Sequence, residues 1–421
     1  MSSPSATQRI RQTARLLRSE GSASVAARLL ARASTRLAPA GYGGLPLDRA
    51  DLLRAGEIAA AGWVLPAPSA IRAGEPLKVA WVCLPPRAGS GGHTTMFRMV
   101  TALERAGHEC IVYLQDRHGW EIDQHRRTIR GWWPDVKADI RDLADGIEDA
   151  HAVFATAWMT AYPVLASPAK GVRFYFVQDF EPAFYPAGSE GLLAEATYRF
   201  GFHGVTAGRW LADRLQREFE MPADHFDFGC DLDRYALEPA LADQRTGICY
   251  YCRPSTPRRA YELALVALDL FAVRHPEVDI HLFGQPAGSL PFAATDHGLL
   301  TPDQLNQLYN RCIAGLALSA TNVSLVPHEM LASGCIPVVN DAEQNRVVLD
   351  NSEVAYAPAT PFELADALSA LVERPQAERA AAAEAAAGSV QGASWAHAGA
   401  QVESIVRRVV QAAAAPTTLA A

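Results

Sequence analysis

The sequence of 421 residues has little of three features that would place it in a specialised class of protein. Its seven cysteines are an odd and sparse set, which excludes a disulfide-held scaffold and fits a reducing compartment. Its 38 basic residues are outnumbered by 46 acidic ones, and the formal charge of −8 argues against a protein that binds nucleic acid. No run approaches the roughly 18 apolar residues of a membrane-spanning helix, and the N-terminus lacks the pattern of a secretory signal. We therefore expect a cytoplasmic protein.

Basic charge is concentrated at the N-terminus. Residues 1–40 contain seven arginines and one acidic residue, in an Ala- and Leu-rich stretch that favours a helix. Pro and Gly residues between Pro39 and Pro46 end this stretch, and a polar connector is predicted to continue to about Pro76. Two interpretations stay open for residues 1–45: peripheral contact with anionic lipids at the inner face of a membrane, or packing on the first domain with a solvated basic face.

Beyond the connector, strand-like apolar runs alternate with helical segments in two series. The first series has such runs at 77–84, 109–114, 152–155, 172–177 and 203–206, and the second at 247–252, 278–283, 313–318 and 336–339. This alternation is typical of parallel sheets covered by helices. It predicts an α/β protein in which two Rossmann-like domains face a cleft. The expected division is an N-terminal extension over residues 1–76 and domains over 77–243 and 244–393.

Residues 320–340 carry the strongest local signal for ligand binding. Ser324 is placed to cap a helix, Pro327 falls in its first turn, and Gly334 can adopt the left-handed conformation that ends it. A helix that starts at the carboxyl edge of a parallel sheet points free N–H groups into the crevice, where a pyrophosphate fits. Glu329 lies one turn further and suits two ribose hydroxyls. The alternative is an ordinary amphipathic helix with a capping serine.

Two other predicted loops follow strands. Arg253, Arg258 and Arg259 come after the first strand of the second series, and guanidinium groups stabilise the oxygens of a leaving diphosphate through charge-assisted bonds. Gly91 and Gly92 come after the first strand of the first series, where glycine lets the backbone approach a ligand closely. A solvated basic loop and a plain tight turn are the respective alternatives.

Several stretches together carry a resemblance to a known family. They are Gly91-Gly92-His93, Gly107-His108-Glu109, Gly229-Cys230-Asp231-Leu232-Asp233-Arg234-Tyr235, Arg253 with Arg258, His297-Gly298-Leu299-Leu300, and residues 324–340. Over roughly residues 77–375 the chain resembles the retaining glycosyltransferases of family 4, which have the GT-B fold. Within that family, Val177-Gln178-Asp179-Phe180-Glu181-Pro182-Ala183-Phe184-Tyr185-Pro186 and Tyr198-Arg199-Phe200-Gly201 resemble the WsaF-type rhamnosyltransferases. Those enzymes use dTDP-L-rhamnose to build cell-surface polysaccharide.

The resemblance implies a role for individual residues. Arg253 and Arg258 would bind the diphosphate, with Arg259 as a competitor because Arg258 stands where the family usually has lysine. Asp179 would face the reacting centre as a base or a positioning group for the acceptor hydroxyl. The other implied donor-side residues are Gly91, Gly92, Gly298, Leu299, Leu300, Thr321, Asn322, Ser324, Leu325, Val326 and Glu329, and the implied acceptor-side residues are Glu181 and Trp158. A C-terminal helix over 394–421 would pack back on the first domain.

The sequence departs from the family at one position. The family usually has two glutamates eight positions apart, and the first of them touches the transferred sugar. Glu329 occupies the second position, whereas the first is Thr321, followed by Asn322. A neutral Thr/Asn pair suits a 6-deoxy sugar, which has fewer hydroxyl groups to bind.

The expected activity is the retaining transfer of a deoxyhexose, L-rhamnose from dTDP-L-rhamnose, to a glycan or lipid-linked glycan acceptor. No cofactor or metal is expected, because the arginines and the helix N-terminus stabilise the leaving group. The pair Asp231 and Asp233 has metal-ligand character, but it matches the family's turn before the second domain. Two alternatives stay open: a nucleotide-sugar epimerase or hydrolase on the same fold, and a catalytically silent nucleotide-sugar-binding subunit of an assembly complex.

Overall fold

The computed structural model describes residues 44–66, 68, 71–72, 74–87, 89–117 and 119–414, without the side chains of residues 242 and 243. The predicted basic helix over residues 1–45 lies outside the described residues except for its last two, and so does the chain beyond residue 414. The connector predicted to reach Pro76 contains a helix, Arg49–Ala60 (α1), so that prediction was wrong in this part. Alanine, leucine and arginine, all good helix formers, dominate this stretch.

The first sheet has seven strands within the described part of the chain, and all neighbouring pairs are parallel. In chain order they are β1 (Lys78–Cys83), β2 (Glu109–Leu114), β3 (Asp139–Asp142), β4 (Ala152–Ala155), β5 (Val172–Val177), β6 (His203–Ala207) and β7 (Ala223–Phe226). Their order across the sheet is β3-β2-β1-β4-β5-β6-β7. The central strands are apolar at most of their positions, as expected for a parallel sheet with both faces covered, with Arg173 of β5 as a buried exception.

Helices cover this sheet between successive strands. They are α2 (Gly91–Arg105), α3 (Ile122–Trp132), α4 (Trp158–Ala166), α5 (Ser189–Ala196) and α6 (Arg209–Phe219). The helical spacing of Met96, Val100 and Leu103 correctly predicts the buried face of α2, since all three are buried against the sheet.

The second sheet has six parallel strands among the residues that the structure describes. They are β8 (Gly247–Cys252), β9 (Ile280–Gly284), β10 (Thr295–Asp296), β11 (Cys312–Leu316), β12 (Ile336–Asn340) and β13 (Ala355–Ala357), in the order β10-β9-β8-β11-β12-β13. The accompanying helices are α7 (Tyr261–Arg274), α8 (Pro302–Arg311), α9 (Val326–Ala332), α10 (Glu343–Leu349), α11 (Pro361–Val372) and α12 (Gln376–Ser389).

The last helix, Trp395–Ala414 (α13), packs on the core of the first sheet. Five of its residues belong to that core: Ala398, Val402, Ile405, Val406 and Val410. A Cβ at Gly399 would lie 2.5 Å from the Cβ of Ala102 in α2, so the two helices can approach this closely only with glycine at that position. The chain therefore passes between the sheets twice, and the two connecting segments pair where the N–H of Cys230 donates to the carbonyl of Ala393 at 3.0 Å.

The predicted α/β fold with two parallel sheets is confirmed, while the domain boundaries stay predictions. Four strands were not predicted: β3, β7, β10 and β13. They are the outermost strands of the two sheets among the described residues. Edge strands are short and half-exposed, so they lack the continuous apolar run that identifies a central strand.

Candidate active site

Three loops that follow strands meet between the two sheets. One follows β5 of the first sheet and carries Asp179, and the others follow β8 and β11 of the second sheet and carry Arg258 and Asn322. The strand order of the second sheet changes direction between β8 and β11. Ligands of open α/β sheets bind in the crevice at such a point. The topology therefore brings residues that are distant in sequence to one candidate site.

Asp179 joins the two sheets through its carboxylate, which is almost completely buried. Its Oδ1 accepts the N–H of Phe180 at 2.8 Å and the N–H of Asn322 at 2.9 Å. Its Oδ2 lies 3.0 Å from Nε of Arg258. The residue expected to face the reacting centre from the first domain thus lies against the second sheet, which supplies the N–H of Asn322 to one oxygen and the charge of Arg258 beside the other.

Asn322 uses its whole side chain for contacts within the protein. Its Nδ2 donates to the carbonyls of Gln178 at 2.9 Å and Ala207 at 2.8 Å, and its Oδ1 accepts the N–H of Val323 at 3.0 Å. The amide is fully buried. The expectation that Asn322 contacts the donor is therefore wrong for its side chain, because every polar atom of the amide already has a partner. Asn322 instead ties the loop after β11 to the carboxyl ends of β5 and β6.

The three arginines of the loop after β8 have different surroundings. Arg253 pairs with no carboxylate among the described residues, and its guanidinium carbon lies 5.7 Å from the Tyr251 ring centroid. Arg258 pairs with Asp179 and lies 4.2 Å from the ring centroid of Phe184. Arg259 donates to Ser319 and to the carbonyl of Asn322.

Burial lowers the pKa of Arg259, whose contacts hold the loop after β11. A guanidinium used in this way is less available to a ligand than one that faces the crevice. The contacts therefore favour Arg253 and Arg258 over Arg259 as the groups that bind an anion.

The helix expected to begin after Ser324 is α9, which starts at Val326. Its N-cap is Leu325, and no side chain caps it, so the prediction of Ser324 as the cap was wrong. Pro327 does fall in the first turn, and Gly334 has the expected positive φ, +72°. Pro327 has no N–H, and the N–H groups of His328 and Glu329 donate to the carbonyl of Leu325 at 3.0 and 3.1 Å. Within this first turn, Val326 therefore carries the N–H that has no partner inside the helix.

Thr321 is 4% exposed, and its Oγ1 has no hydrogen-bond partner among the described residues. The neighbouring N–H of Ala320 donates to the carbonyl of Arg258 at 2.8 Å, which places Thr321 beside the arginine loop. A buried hydroxyl without a partner is rare in folded proteins and marks a position where a ligand group can supply one.

Glu329 is half-buried, and its Oε2 accepts the hydroxyl of Tyr309 at 3.3 Å. Burial raises the pKa of Glu329 to about 7; the hydroxyl of Tyr309 lowers it, while Asp231 raises it further. The positive charge of Arg98 in α2 lowers the pKa of Glu329. Arg98 also pairs with Asp231, with 2.5 Å between Nη2 and Oδ2. The Arg98 guanidinium also lies 4.2 Å from the ring centroid of Trp395.

Sequence reasoning missed Arg98 as part of the site. Its partner Asp231 is 133 positions away in the chain. A solvated arginine on a helix and an arginine that neutralises a distant carboxylate look the same in the sequence, so no local signal would have found it.

The two residues expected to bind the acceptor are part of the interior. Trp158 is 1% exposed, and its Nε1 donates to the hydroxyl of Tyr185 at 2.9 Å. Glu181 is buried and accepts the N–H of Trp158 and the hydroxyl of Tyr175, both at 2.9 Å. Burial raises the pKa of Glu181 to about 7. Both predictions were therefore wrong, because neither side chain is accessible to a glycan. The two residues stabilise the loop that presents Asp179.

The segments that contain Gly91, Gly92 and Gly298 have fewer features that indicate a ligand than the residues described above. Gly91 and Gly92 are the first residues of α2 and not a separate turn. A Cβ at Gly92 would lie 3.6 Å from Nε2 of Gln178, which is ordinary contact. Gly298 has a φ of +59°, and its carbonyl accepts the N–H of Gly284 at 2.8 Å. Leu299 beside it is 83% exposed, while Leu300 is half-buried.

Among the described residues, no group of three His, Cys, Asp or Glu side chains is arranged to hold a metal ion. Asp231 pairs with Arg98, and the thiols of Cys249 and Cys252 are buried. The Sγ of Cys249 lies 4.0 Å from that of Cys335 in the core of the second sheet.

No helix in the described ranges has both the length and the apolar character needed to cross a membrane.

The second sheet matches a family model. Residues 246–369 match the model described as WsaF, C-terminal domain, and this range contains β8, β11, α9 and the arginine loop. The resemblance to the WsaF-type proteins is therefore confirmed over that range. The chain is also 34% identical over 205 residues to the O-antigen biosynthesis protein RfbC of Myxococcus xanthus. That match covers 47% of this chain but only 16% of RfbC, so the chain spans a small part of this curated relative.

Solved structures resemble the whole layout of the two sheets. Anabaena Alr3699/HepE in complex with UDP-glucose superposes with a TM-score of 0.59 at 11% identity, over 80% of this chain and 100% of that one. A mutant of S. aureus TarM in complex with fondaparinux, α-GlcNAc-glycerol and UDP has a TM-score of 0.61 at 8% identity, over 80% and 99% of the two chains. The protein has the GT-B fold. At such low identity the likeness shows the fold and leaves the reaction to the site.

Proposed function

We propose that this protein is a glycosyltransferase of O-antigen or related polysaccharide biosynthesis that transfers a sugar from a nucleotide sugar to a glycan acceptor. The observation that carries the proposal is the contact of Arg258 and Asn322, on the loops after β8 and β11, with Asp179 of the first sheet. Arg253 lies on the same loop as Arg258, and Glu329 lies in the helix that follows the loop after β11. The match to the WsaF C-terminal domain and the similarity to RfbC support the assignment to polysaccharide synthesis.

The first task of the site is to stabilise the leaving diphosphate. Cleavage of a sugar–phosphate bond leaves negative charge on the diphosphate as the sugar acquires oxocarbenium character. Arg253 and Arg258 come from one rigid loop and place two positive charges where that charge develops. In the proposal, the backbone N–H groups of Ser324, Leu325 and Val326 bind the phosphate oxygens beside them.

The second task is to bind the nucleoside. Glu329 lies in α9, which follows the loop after β11, and has a second carboxylate oxygen beside the one that contacts Tyr309. Two hydroxyls of a ribose or the single one of a deoxyribose can donate to such a carboxylate. Gly298, Leu299 and Leu300 border the base, and Gly91 and Gly92 approach the phosphates from the first sheet.

The donor in this proposal is dTDP-L-rhamnose. The support is the match of residues 246–369 to the WsaF C-terminal domain and the neutral side chain of Thr321, whose buried hydroxyl lacks a partner among the described residues. A carboxylate at this position would demand an additional sugar hydroxyl, whereas a single threonine hydroxyl suits a 6-deoxy sugar.

Transfer is proposed to retain the anomeric configuration and to proceed without a metal ion. The acceptor hydroxyl attacks from the face of the leaving diphosphate, and Asp179 receives its proton. Asp179 is the candidate on the first-sheet side because it lies against Arg258 of the second sheet, whereas Glu181 and Trp158 contact groups of the first sheet. A glycan or lipid-linked glycan is the proposed acceptor, and a cytoplasmic enzyme acting at the inner face of the membrane is the proposed location.

The decisive experiment begins with a thermal-shift comparison of dTDP, UDP and GDP at equal concentration. A ligand present at 100 times its Kd adds about 2.7 kcal/mol to the stability of the folded state. We expect dTDP to raise the Tm most, and Arg253→Met to reduce that rise. No shift with any of the three would contradict the proposal.

A second measurement separates transfer from the alternatives on this fold. Incubation with dTDP-L-rhamnose alone should leave the donor intact, whereas an epimerase or hydrolase would convert it without an acceptor. Product appears only with a glycan acceptor if the proposal is right. Binding without turnover on any acceptor would instead identify a silent subunit. Liposome co-sedimentation of the full chain against a version without residues 1–45 decides whether that segment contacts lipid.

A further inference from the structure

Arg258 is held between two groups of different kinds. The carboxylate of Asp179 lies on one side, with Oδ2 at 3.0 Å from Nε, and the ring of Phe184 lies on another, with its centroid 4.2 Å from the guanidinium carbon. The Arg258 side chain is 30% exposed and that of Asp179 only 12%. The arginine therefore faces the crevice, and its carboxylate partner lies behind it.

The contact between Arg258 and Asp179 is close but incomplete. Although Nε and Oδ2 are 3.0 Å apart, the Nε–H makes no aligned hydrogen bond with any acceptor in the described part of the chain. An ion pair without such alignment is weaker than a fork-to-fork arginine–carboxylate pair. The arginine can therefore leave this partner at modest cost.

Asp179 and Arg258 each keep other contacts if the ion pair between them breaks. Oδ1 of Asp179 is held by the N–H groups of Phe180 and Asn322, which do not involve Arg258. The ring of Phe184 attracts the guanidinium whichever anion is paired with it. A nucleoside diphosphate presents more charge and more acceptor oxygens than one carboxylate, and Arg253 next to the same crevice would draw it in.

We propose that Arg258 pairs with Asp179 before the donor binds and turns to the donor diphosphate when it arrives, which frees Oδ2 of Asp179 for the acceptor. This inference rests on the proposed function. During transfer the acceptor oxygen bonds to the anomeric carbon and its proton goes to Oδ2. The bond between that carbon and the diphosphate oxygen breaks, and its electron pair leaves with the diphosphate. Productive binding is then ordered, with the donor first, because Arg258 occupies Oδ2 of Asp179 until the diphosphate draws the arginine away.

The exchange of partners by Arg258 is tested by whether Asp179→Asn tightens or weakens the binding of a nucleoside diphosphate. Asp179→Asn keeps an oxygen for the N–H groups of Phe180 and Asn322 but removes the charge that competes for Arg258. Isothermal titration with dTDP and with UDP should show binding about 10-fold tighter than in the wild type, as expected for release of one charge-assisted contact, while transfer is lost. Thymidine and uridine, which lack phosphates, should bind both proteins equally. Weaker diphosphate binding would mean that Asp179 only positions Arg258 and would overturn the exchange.

Removal of a negative charge near an anion also tightens binding without any exchange, so a double-mutant cycle is needed. In the background of Arg258→Met, which itself should weaken dTDP binding, Asp179→Asn should no longer give the gain specific to exchange. An equal gain in both backgrounds would overturn the proposal. Asp366→Asn is the matched control, since it breaks an ion pair with Arg274 on the outer helices α7 and α11 and should leave binding unchanged.

The outcomes for the two proposals are distinct. If the wild-type protein binds no nucleoside diphosphate, the proposed function fails and the exchange fails with it. If the wild type binds dTDP but the Asp179→Asn protein binds it no more tightly, only the exchange fails. Melting temperatures of the variants within a few degrees of the wild type establish that the comparison concerns folded proteins.

Discussion

Asn322→Ala should weaken the contact between the two sheets, in addition to lowering the stability of the folded protein. The side chain donates to the carbonyls of Gln178 and Ala207, both at the carboxyl ends of first-sheet strands, while its backbone belongs to the second sheet. No other residue in the described part of the chain donates side-chain bonds to two strand ends of the opposite sheet. Removing the amide leaves both carbonyls without their donor in the observed arrangement.

The magnitude follows from the two bonds. A neutral hydrogen bond contributes about 1 kcal/mol net, and a buried acceptor left without a donor costs about 1–3 kcal/mol. If the sheets move apart, water can donate to the two carbonyls. The variant should therefore lose about 2–4 kcal/mol of the free energy that favours the joined sheets over the separated ones. At about 1.4 kcal/mol per factor of ten, the ratio of the two arrangements shifts by about 30-fold to 700-fold.

Small-angle scattering and donor turnover measure this shift. We expect a larger radius of gyration for Asn322→Ala and a higher ratio of donor hydrolysis to transfer, because a separated cleft admits water. Asn345→Ala is the matched control: its buried amide donates to the carbonyl and to the side-chain oxygen of Asn340, within the second sheet alone. It should lower the Tm without either effect. If the two variants lose stability but behave alike in scattering and in product ratio, Asn322 does not hold the sheets together.

Three further predictions concern single residues. Because the pKa of Glu329 is raised to about 7, the carboxylate that accepts nucleoside hydroxyls is lost below that value. Calorimetry should therefore show the affinity for thymidine, which has no phosphate to titrate, falling from pH 8 to pH 6, with a flat profile in Glu329→Gln. Thr321→Glu places a carboxylate at a buried position, next to the loop that contacts Asp179, and should raise the KM for dTDP-L-rhamnose about 10-fold or more; unchanged donor kinetics would refute the specificity argument. Arg245→Met removes four hydrogen bonds to oxygens in the interior and should lower the Tm by several degrees. The dTDP affinity of that variant should stay at the wild-type value, since Arg245 lies away from the crevice in the core of the second sheet.

The sequence predicts the central strands of both sheets better than the edge strands. Runs such as 109–114, 172–177 and 247–252 match β2, β5 and β8 residue for residue, because a strand buried on both faces is apolar at most of its positions. The outer strands β3 and β13 are short and partly exposed, and they pair only because the sheet already provides a neighbour. Their position depends on tertiary structure, so periodicity does not identify them.

The acceptor-side residues show the limit of motif reasoning. Glu181 and Trp158 have side chains typical of sugar binding, yet both are buried and bonded to each other through the N–H of Trp158. A carboxylate or an indole in a motif can bind a ligand or support the loop that does. Only accessibility separates these roles, and accessibility is a property of the packed molecule.

The amino-acid sequence was sufficient to place two parallel sheets and to assign Arg253, Arg258 and Glu329 to loops or helices at their carboxyl edges, because hydrophobic periodicity and glycine or proline positions are local signals. The partners of those residues were decided by tertiary structure. Arg258 meets Asp179, and Asn322 spans to Gln178 across 144 positions of sequence. Such pairs form where two separately folded sheets come together, and electrostatic attraction and hydrogen bonding depend on distance in space and not on separation along the chain.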